Sequence, residues 1–215
     1  ERPFAGDFRV RDDDPKIALC GVDSLEARAA LGPVDPLKAD NEIGAFIALV
    51  KGSIAANDEP PAAAHALDQA ILLGPGTLVE EAALRRRIAV ATDLGESTRF
   101  LDVSDDYVRR YLRSPYASQF ADAFVSGIVA LHKKLDREQV QAIIALMDPD
   151  QQQVIYLRIA RRAGIDGLSD LSAFASMHAS APGGNDIASD DPRAQLYSSL
   201  VTITSGTRDD MLPKL

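Results

Sequence analysis

The feature that most constrains this chain is its central stretch, Glu42 to Leu146. It reads as successive apolar segments of helical period, joined by short turns, with no strand alternation. The clearest landmark within it is Ala63, Leu67, Ala70 and Pro75. That spacing matches the second helix of a tetratricopeptide repeat: small, large four later, small three later, then proline five later. Small residues let paired helices approach, the large one fills the gap, and proline stops the helix. Ala63, Leu67 and Ala70 are therefore expected to face the preceding helix near Ile47, Val50 and Ile54.

First helices of successive hairpins are expected to begin at Glu42, Leu78, Tyr116 and Pro149, at intervals of 36, 38 and 33 residues. A tetratricopeptide repeat spans about 34. A non-repeating bundle would use similar helix lengths. The pattern favours an all-α, tetratricopeptide-like helical-hairpin solenoid with antiparallel neighbours.

Composition agrees with helices. Tryptophan is absent and aromatics are 6% of the chain, so the core must come mainly from Leu, Ile, Val and Ala. Turn chemistry then sets boundaries. Residues 1–23, with Asp12-Asp13-Asp14-Pro15, read as a mobile N-terminal arm. Residues 24–181 form the helical-hairpin repeat domain, 182–191 a loop around Pro182-Gly183-Gly184-Asn185, and 192–215 a C-terminal helix and tail. Ser24 suits the cap of a short helix ended by Gly32-Pro33. Thr77 with Glu80 reads as a capping box. Tyr116 to Leu135 is expected to be the longest helix, and Gly164 to break the helix that starts at Asp148-Pro149.

The net charge of −9 disfavours nucleic acid, because no basic field displaces counterions. A single cysteine, Cys20, excludes an internal disulfide and a thiolate metal cage, and fits reducing and oxidising compartments equally. No apolar run reaches the roughly 18 residues of a membrane span. The chain opens at Glu1 rather than Met, so it reads as processed or shortened, and its compartment is not legible from its start.

Chemistry is sparse. His65, His132 and His178 are isolated from one another, and the nucleotide-binding, zinc-protease and nucleophile-elbow motifs are absent. Gly74-Pro75-Gly76-Thr77 precedes a helix but lacks the lysine of a phosphate loop. Glu80-Glu81 and Asp105-Asp106 are ordinary in an acidic protein. No catalytic residue, metal ligand or cofactor is expected. The arginines are more informative: Arg85-Arg86-Arg87, then Arg109, Arg110 and Arg113, then Arg158, Arg161 and Arg162. Each set lies in the later half of an expected helix. One reading is dipole and i,i+4 pairing. The sharper one is a basic groove whose guanidinium forks hold a partner's carboxylates, which makes Arg109, Arg110, Arg113, Arg158, Arg161 and Arg162 candidate partner-binding residues. Tyr107 and Tyr111 are then expected to pack inward and Arg109 and Arg113 to reach solvent.

Several runs resemble the MotC family of periplasmic motility proteins. The most distinctive is Tyr107-Val108-Arg109-Arg110-Tyr111-Leu112-Arg113-Ser114-Pro115-Tyr116, continuing to Ala121. The runs Glu42 to Ser53, Leu72 to Arg86, Val154 to Arg162 and Pro192 to Leu200 add to it. The resemblance covers roughly Leu25 to Leu200. It implies a non-enzymatic adaptor in the periplasm that associates with the periplasmic part of the stator protein MotB and is needed for flagellar rotation. The family supplies no motif that assigns a binding role to single residues. A general helical scaffold in envelope assembly or export is the alternative, and an all-α enzyme with an unrecognised site is another.

Overall fold

A computed structural model of the chain describes residues 24–179. The expected arm at 1–23, loop at 182–191 and C-terminal helix and tail at 192–215 lie outside the described residues. The chain divides into two units between Val34 and Asp35. In the first, helix α1 spans Ser24–Leu31. It closes where the Gly32 N–H donates to the Arg28 carbonyl at 2.8 Å.

The second unit opens with a 3-10 turn, Pro36–Lys38, capped by the Asp35 carboxylate, which accepts the Leu37 N–H at 3.1 Å. Eight helices follow: α2 Asn41–Ala55, α3 Pro60–Leu73, α4 Leu78–Leu94, α5 Ser97–Tyr111, α6 Ala117–Ala130, α7 Arg137–Ile144, α8 Pro149–Ile165 and α9 Ser169–Ala179. Among the described residues the chain is all α, with no strand.

Each of α2, α3 and α4 packs against the next helix in the chain, as does α8 against α9. Helix α4 also touches α2 and α6, α6 touches α8, and α5 touches α7. Helix α4 is therefore clasped from several sides, and its sequence reflects this. Ala83 and Val90 enter a small core with Ala48, Ala63, Leu67 and Ala70. Leu84, Ile88 and Ala91 enter the larger core that continues through α5 to α9. A ladder of rings runs through that core: Tyr107 stacks on Phe120 at 4.3 Å, Phe120 on Phe124 at 5.3 Å, and Phe124 on Phe100 at 5.8 Å.

The register of α2 on α3 differs from the expectation. Ala63, Leu67 and Ala70 are fully buried. They meet the small face of α2, at Ala48 and Gly52, rather than Ile47, Val50 and Ile54. A Cβ placed on Gly52 would lie 2.7 Å from Leu67 Cγ, so Leu67 occupies the room that glycine leaves. Large side chains on that face would hold the helices apart. Ile43 and Phe46 consequently point outward, 57% and 59% exposed.

Two helix ends also differ. Helix α6 stops at Ala130 rather than Leu135, and the longest helices are α4 and α8, with 17 residues each. The Leu131 N–H still reaches the Gly127 carbonyl at 2.8 Å, but Lys134 and Leu135 then both turn back on the Leu131 carbonyl. That tight turn frees Asp136 to cap α7 through the Glu138 N–H at 3.0 Å. Helix α8 runs through Gly164 to Ile165. It is Gly167, at φ 74°, that ends it. The Leu168 N–H returns to Ala163 at 2.8 Å and the Gly167 N–H to Gly164 at 3.3 Å, a left-handed glycine stop.

Candidate interaction surface

The start of α4 gathers both buried carboxylates of the described residues. Thr77 caps it, its hydroxyl accepting the Glu80 N–H at 3.4 Å. The Glu80 carboxylate reaches back past Thr77 and accepts the Gly76 N–H at 2.6 Å. The same carboxylate accepts the Tyr111 hydroxyl at 2.6 Å and a guanidinium N–H of Arg110. Glu81 accepts the Tyr107 hydroxyl at 2.9 Å. Both carboxylates are buried. Desolvation normally makes that costly, and the ring of donors offsets it. Burial, and then the bond to the neighbouring carboxylate, pushes the phenol pKa of Tyr107 and Tyr111 well above its usual value. The acidic pair therefore ties α4 to α5. The sequence reading has Thr77-x-x-Glu80 as a cap and Glu80-Glu81 as ordinary acidic residues; the further signal was two tyrosines four residues apart on the next helix.

The Arg85-Arg86-Arg87 run is largely interior. Arg87 is buried and bridges Asp68 of α3 at 3.1 Å and Glu96, just before α5, at 2.8 Å. Arg99 of α5 meets the same Asp68 oxygen at 2.6 Å. The Arg85 guanidinium lies 4.7 Å from the centre of the Tyr116 ring and donates to Gln119.

The six arginines singled out from the sequence fall into two states. Arg109 pairs with Asp105 at 2.6 Å, one turn back on its own helix. Arg110 joins Glu80 and, at 2.7 Å, Asp106. Arg158 links α8 to Asp122 of α6 at 2.9 Å, and Arg162 pairs with Asp166 at 3.1 Å. Pairing within the chain, along one helix or between helices, thus occupies these four. Arg113, in the turn after α5, and Arg161, on α8, are exposed and have no ion pair among the described residues. One set lies at the end of α5 and in the turn after it and the other on α8, and both helices pack on α6. Tyr107 is fully buried and Tyr111 half-buried, while Arg109 and Arg113 reach solvent, as the spacing required.

The histidines act in packing or lie on the surface. His65 is exposed. One ring nitrogen of His132 lies 2.8 Å from the Val129 carbonyl. His178 packs on Phe174 and Tyr156 and meets Gln141. Among the described residues no cluster of three or more potential metal ligands occurs. No helix there is long and apolar enough to cross a membrane.

A cavity of about 320 Å³ lies between the α6–α7 turn and the α8–α9 turn. His132, Ser169 and Asp170 are all on its lining. No hydrogen bond joins any two of them.

The chain matches the family model described as "Chemotaxis protein MotC" over residues 19–215. A relative, the chemotaxis protein MotC of Rhizobium meliloti (strain 1021), is 37% identical over 166 residues, covering 77% of this chain and 38% of that protein. The chain thus spans less than two fifths of that relative's length. No solved structure matches it.

Proposed function

The chain belongs to the MotC chemotaxis-protein family, and from that premise we propose that it is a non-enzymatic periplasmic adaptor. It binds the periplasmic part of the stator protein MotB and supports flagellar rotation. Its helices act as a tetratricopeptide-like stack in which α2 pairs with α3, α4 with α5 and α8 with α9, while α6 and α7 follow one another as the remaining repeat.

The observation that carries this reading is the order of packing. First helices touch first helices along the chain, α2 with α4, α4 with α6 and α6 with α8, while second helices touch in α5 with α7. In a stack of that kind each hairpin contacts its neighbours and an extended face is left for a partner. Arg109, Arg110 and Arg113 beside α5, and Arg158, Arg161 and Arg162 on α8, supply guanidinium forks for carboxylates of that partner. Arg113 and Arg161 contribute most, since neither has to give up an internal pair.

The test is genetic. A strain lacking the full-length protein should assemble flagella that do not turn, and restoring the protein to the periplasm should restore swimming. Normal swimming by the deletion strain would exclude the motor role and leave a general envelope scaffold.

A further inference from the structure

Two guanidinium groups of α4, those of Arg85 and Arg86, are balanced by no carboxylate among the described residues. Both side chains are half-buried. Arg85 stands over the Tyr116 ring and donates from Nη1 to Gln119 of α6. Its Nε–H is buried with no acceptor among the described residues, and its Nη2 makes no hydrogen bond there. Arg86 reaches only the Ala82 carbonyl of its own helix, at 3.4 Å. Burial, and then the charge of Arg85, lowers the Arg86 pKa from its usual value. Arg87 and Arg99, also withdrawn from water, are by contrast matched by Asp68 and Glu96. A cation drawn partly out of water without a counter-charge is a cost to the fold. The nearby acids are committed elsewhere. Glu81, one turn before Arg85, accepts the Tyr107 hydroxyl, and Asp122 of α6 pairs with Arg158.

The helix sets these two groups on either side of its open face. At about 100° per residue, Leu78, Ala89, Ala82 and Asp93 fall about 20°, 40°, 60° and 80° round from Arg85 towards Arg86. Leu78, Ala89 and Asp93 are exposed and Ala82 is half-buried. Ala82 and Ala89, about one turn to either side, form a floor of methyl groups that leaves room above it. We propose that Arg85 and Arg86 hold, over this floor, one carboxylate from an acidic side chain of a partner protein. Two cations and Asp93 leave the strip with one net positive charge, which a single carboxylate neutralises. A phosphate dianion draws on backbone N–H donors as well, and those in the middle of α4 are already bonded within the helix. Leu78 and Tyr116, both exposed, flank the floor and suit apolar residues beside the acid. The choice of partner rests on the adaptor reading, and the site is separate from the α5 and α8 arginines.

The test uses the whole chain with isotope-labelled arginine, followed by NMR at low salt. The probe is the capped peptide Leu-Glu-Leu, compared with Leu-Gln-Leu and inorganic phosphate. Saturable shifts of the Arg85 and Arg86 Nε–H signals are expected with the first peptide. The glutamine peptide should bind about tenfold more weakly, and phosphate more weakly than the glutamate peptide. Arg86→Met keeps most of the stem and removes the charge. It should weaken the glutamate peptide about tenfold and melt no lower than the parent, because an unbalanced cation has gone. A lower melting temperature, or failure of that variant to fold, would show that Arg86 serves the fold and overturn the proposal. Equal binding of the glutamine peptide, tighter binding of phosphate, equal shifts at the exposed Arg137, or no shift at all would overturn it too. MotB binding unchanged in Arg86→Met would overturn the site as a partner contact and leave the adaptor reading standing. Glutamate-peptide binding by a chain that does not bind MotB would leave the site standing and remove MotB as the partner.

Discussion

The Tyr111 hydroxyl donates to the Glu80 carboxylate at 2.6 Å, fastening the last turn of α5 to the first turn of α4. Glu80 also receives the Gly76 N–H at 2.6 Å and a guanidinium N–H of Arg110. A carboxylate at this place complements the positive end of α4 while holding the turn before it. One buried acid thus fixes the α3–α4 turn and the α4–α5 seam together.

Removing that acid should cost more than an ordinary surface charge change. Glu80→Ala takes a charged acceptor from the half-buried Tyr111 hydroxyl and the Gly76 N–H, and a hydrogen bond to a charged group contributes about 1.5–3 kcal/mol. We expect a loss of about 2–4 kcal/mol in urea unfolding, with Glu80→Gln retaining part of it. A Glu80→Ala midpoint equal to that of the parent would mean the network contributes nothing net.

The tyrosines make stability depend on alkaline pH. Burial and the neighbouring carboxylates raise the Tyr107 and Tyr111 pKa values in the folded protein. The unfolded chain loses these protons near pH 10, whereas the folded chain keeps them. Their stabilisation is therefore complete below about pH 10 and falls as pH rises further. The slope for Tyr107 is about 1.4 kcal/mol per pH unit. Tyr111 is partly exposed and adds a smaller, solvent-screened share. Urea midpoints between about pH 9 and pH 11 should show this decline, and Tyr107→Phe should flatten it. A decline unchanged in Tyr107→Phe would assign it to other groups.

What was legible in the sequence, and what was not, follows from which interactions are periodic. Helix placement was legible because Phe100, Val103, Tyr107 and Val108, or Phe120, Phe124 and Ile128, repeat at helical spacing and all are buried. The spacing points to the wrong face of α2 because Ile47, Val50 and Ile54 make the more visible stripe, while Ala48 and Gly52 carry the close contact. Small residues leave a weak pattern even where geometry depends on them. Gly164 reads as a stop because glycine disfavours helix, but it is Gly167, not Gly164, that adopts the left-handed conformation at the end of α8. The Glu80–Tyr111 and Arg87–Asp68 bonds join residues 31 and 19 positions apart, and no local pattern encodes such pairings. The cavity at the α6–α7 and α8–α9 turns had no sequence signal at all.

The register of α2 gives a pair of contrasting substitutions. Gly52→Leu should force apart α2 and α3 at Leu67 and cost about 1–3 kcal/mol or more. Phe46→Ser, on the outward face, should change stability by about 0.5 kcal/mol or less. Thermal melts decide between them. At about 2–4 °C per kcal/mol for a chain of this size, the difference is readily measured. The reverse ranking would restore the Ile47, Val50 and Ile54 register.

Helix α6 makes a similar demand at Gly127, where an added Cβ would sit 2.8 Å from Phe100 Cζ and 2.8 Å from Thr92 Oγ1. Gly127→Ala gains about 1 kcal/mol of helix propensity and loses about 1–3 kcal/mol to overpacking. Net destabilisation is expected, relieved by Phe100→Leu in a double-mutant cycle. A stabilised Gly127→Ala would show that the two helices can separate without cost.

Arg87 is buried, yet both of its acidic partners are partly exposed. Arg87→Met should retain the packing of the stem, and Asp68 and Glu96 can rehydrate. The expected loss is about 1–3 kcal/mol, the range for charge-assisted hydrogen bonds. A urea midpoint unchanged from the parent would reduce this three-helix junction to packing alone.

The most direct measurement is binding itself: calorimetric titration of the purified chain with the periplasmic part of MotB, alongside the double variant Arg109→Glu, Arg113→Glu. Both side chains reach solvent, so helical content in the variant should match the parent. A saturable heat for the parent that disappears in the folded variant is the expected result. No heat and no co-sedimentation with the parent chain would contradict the adaptor role.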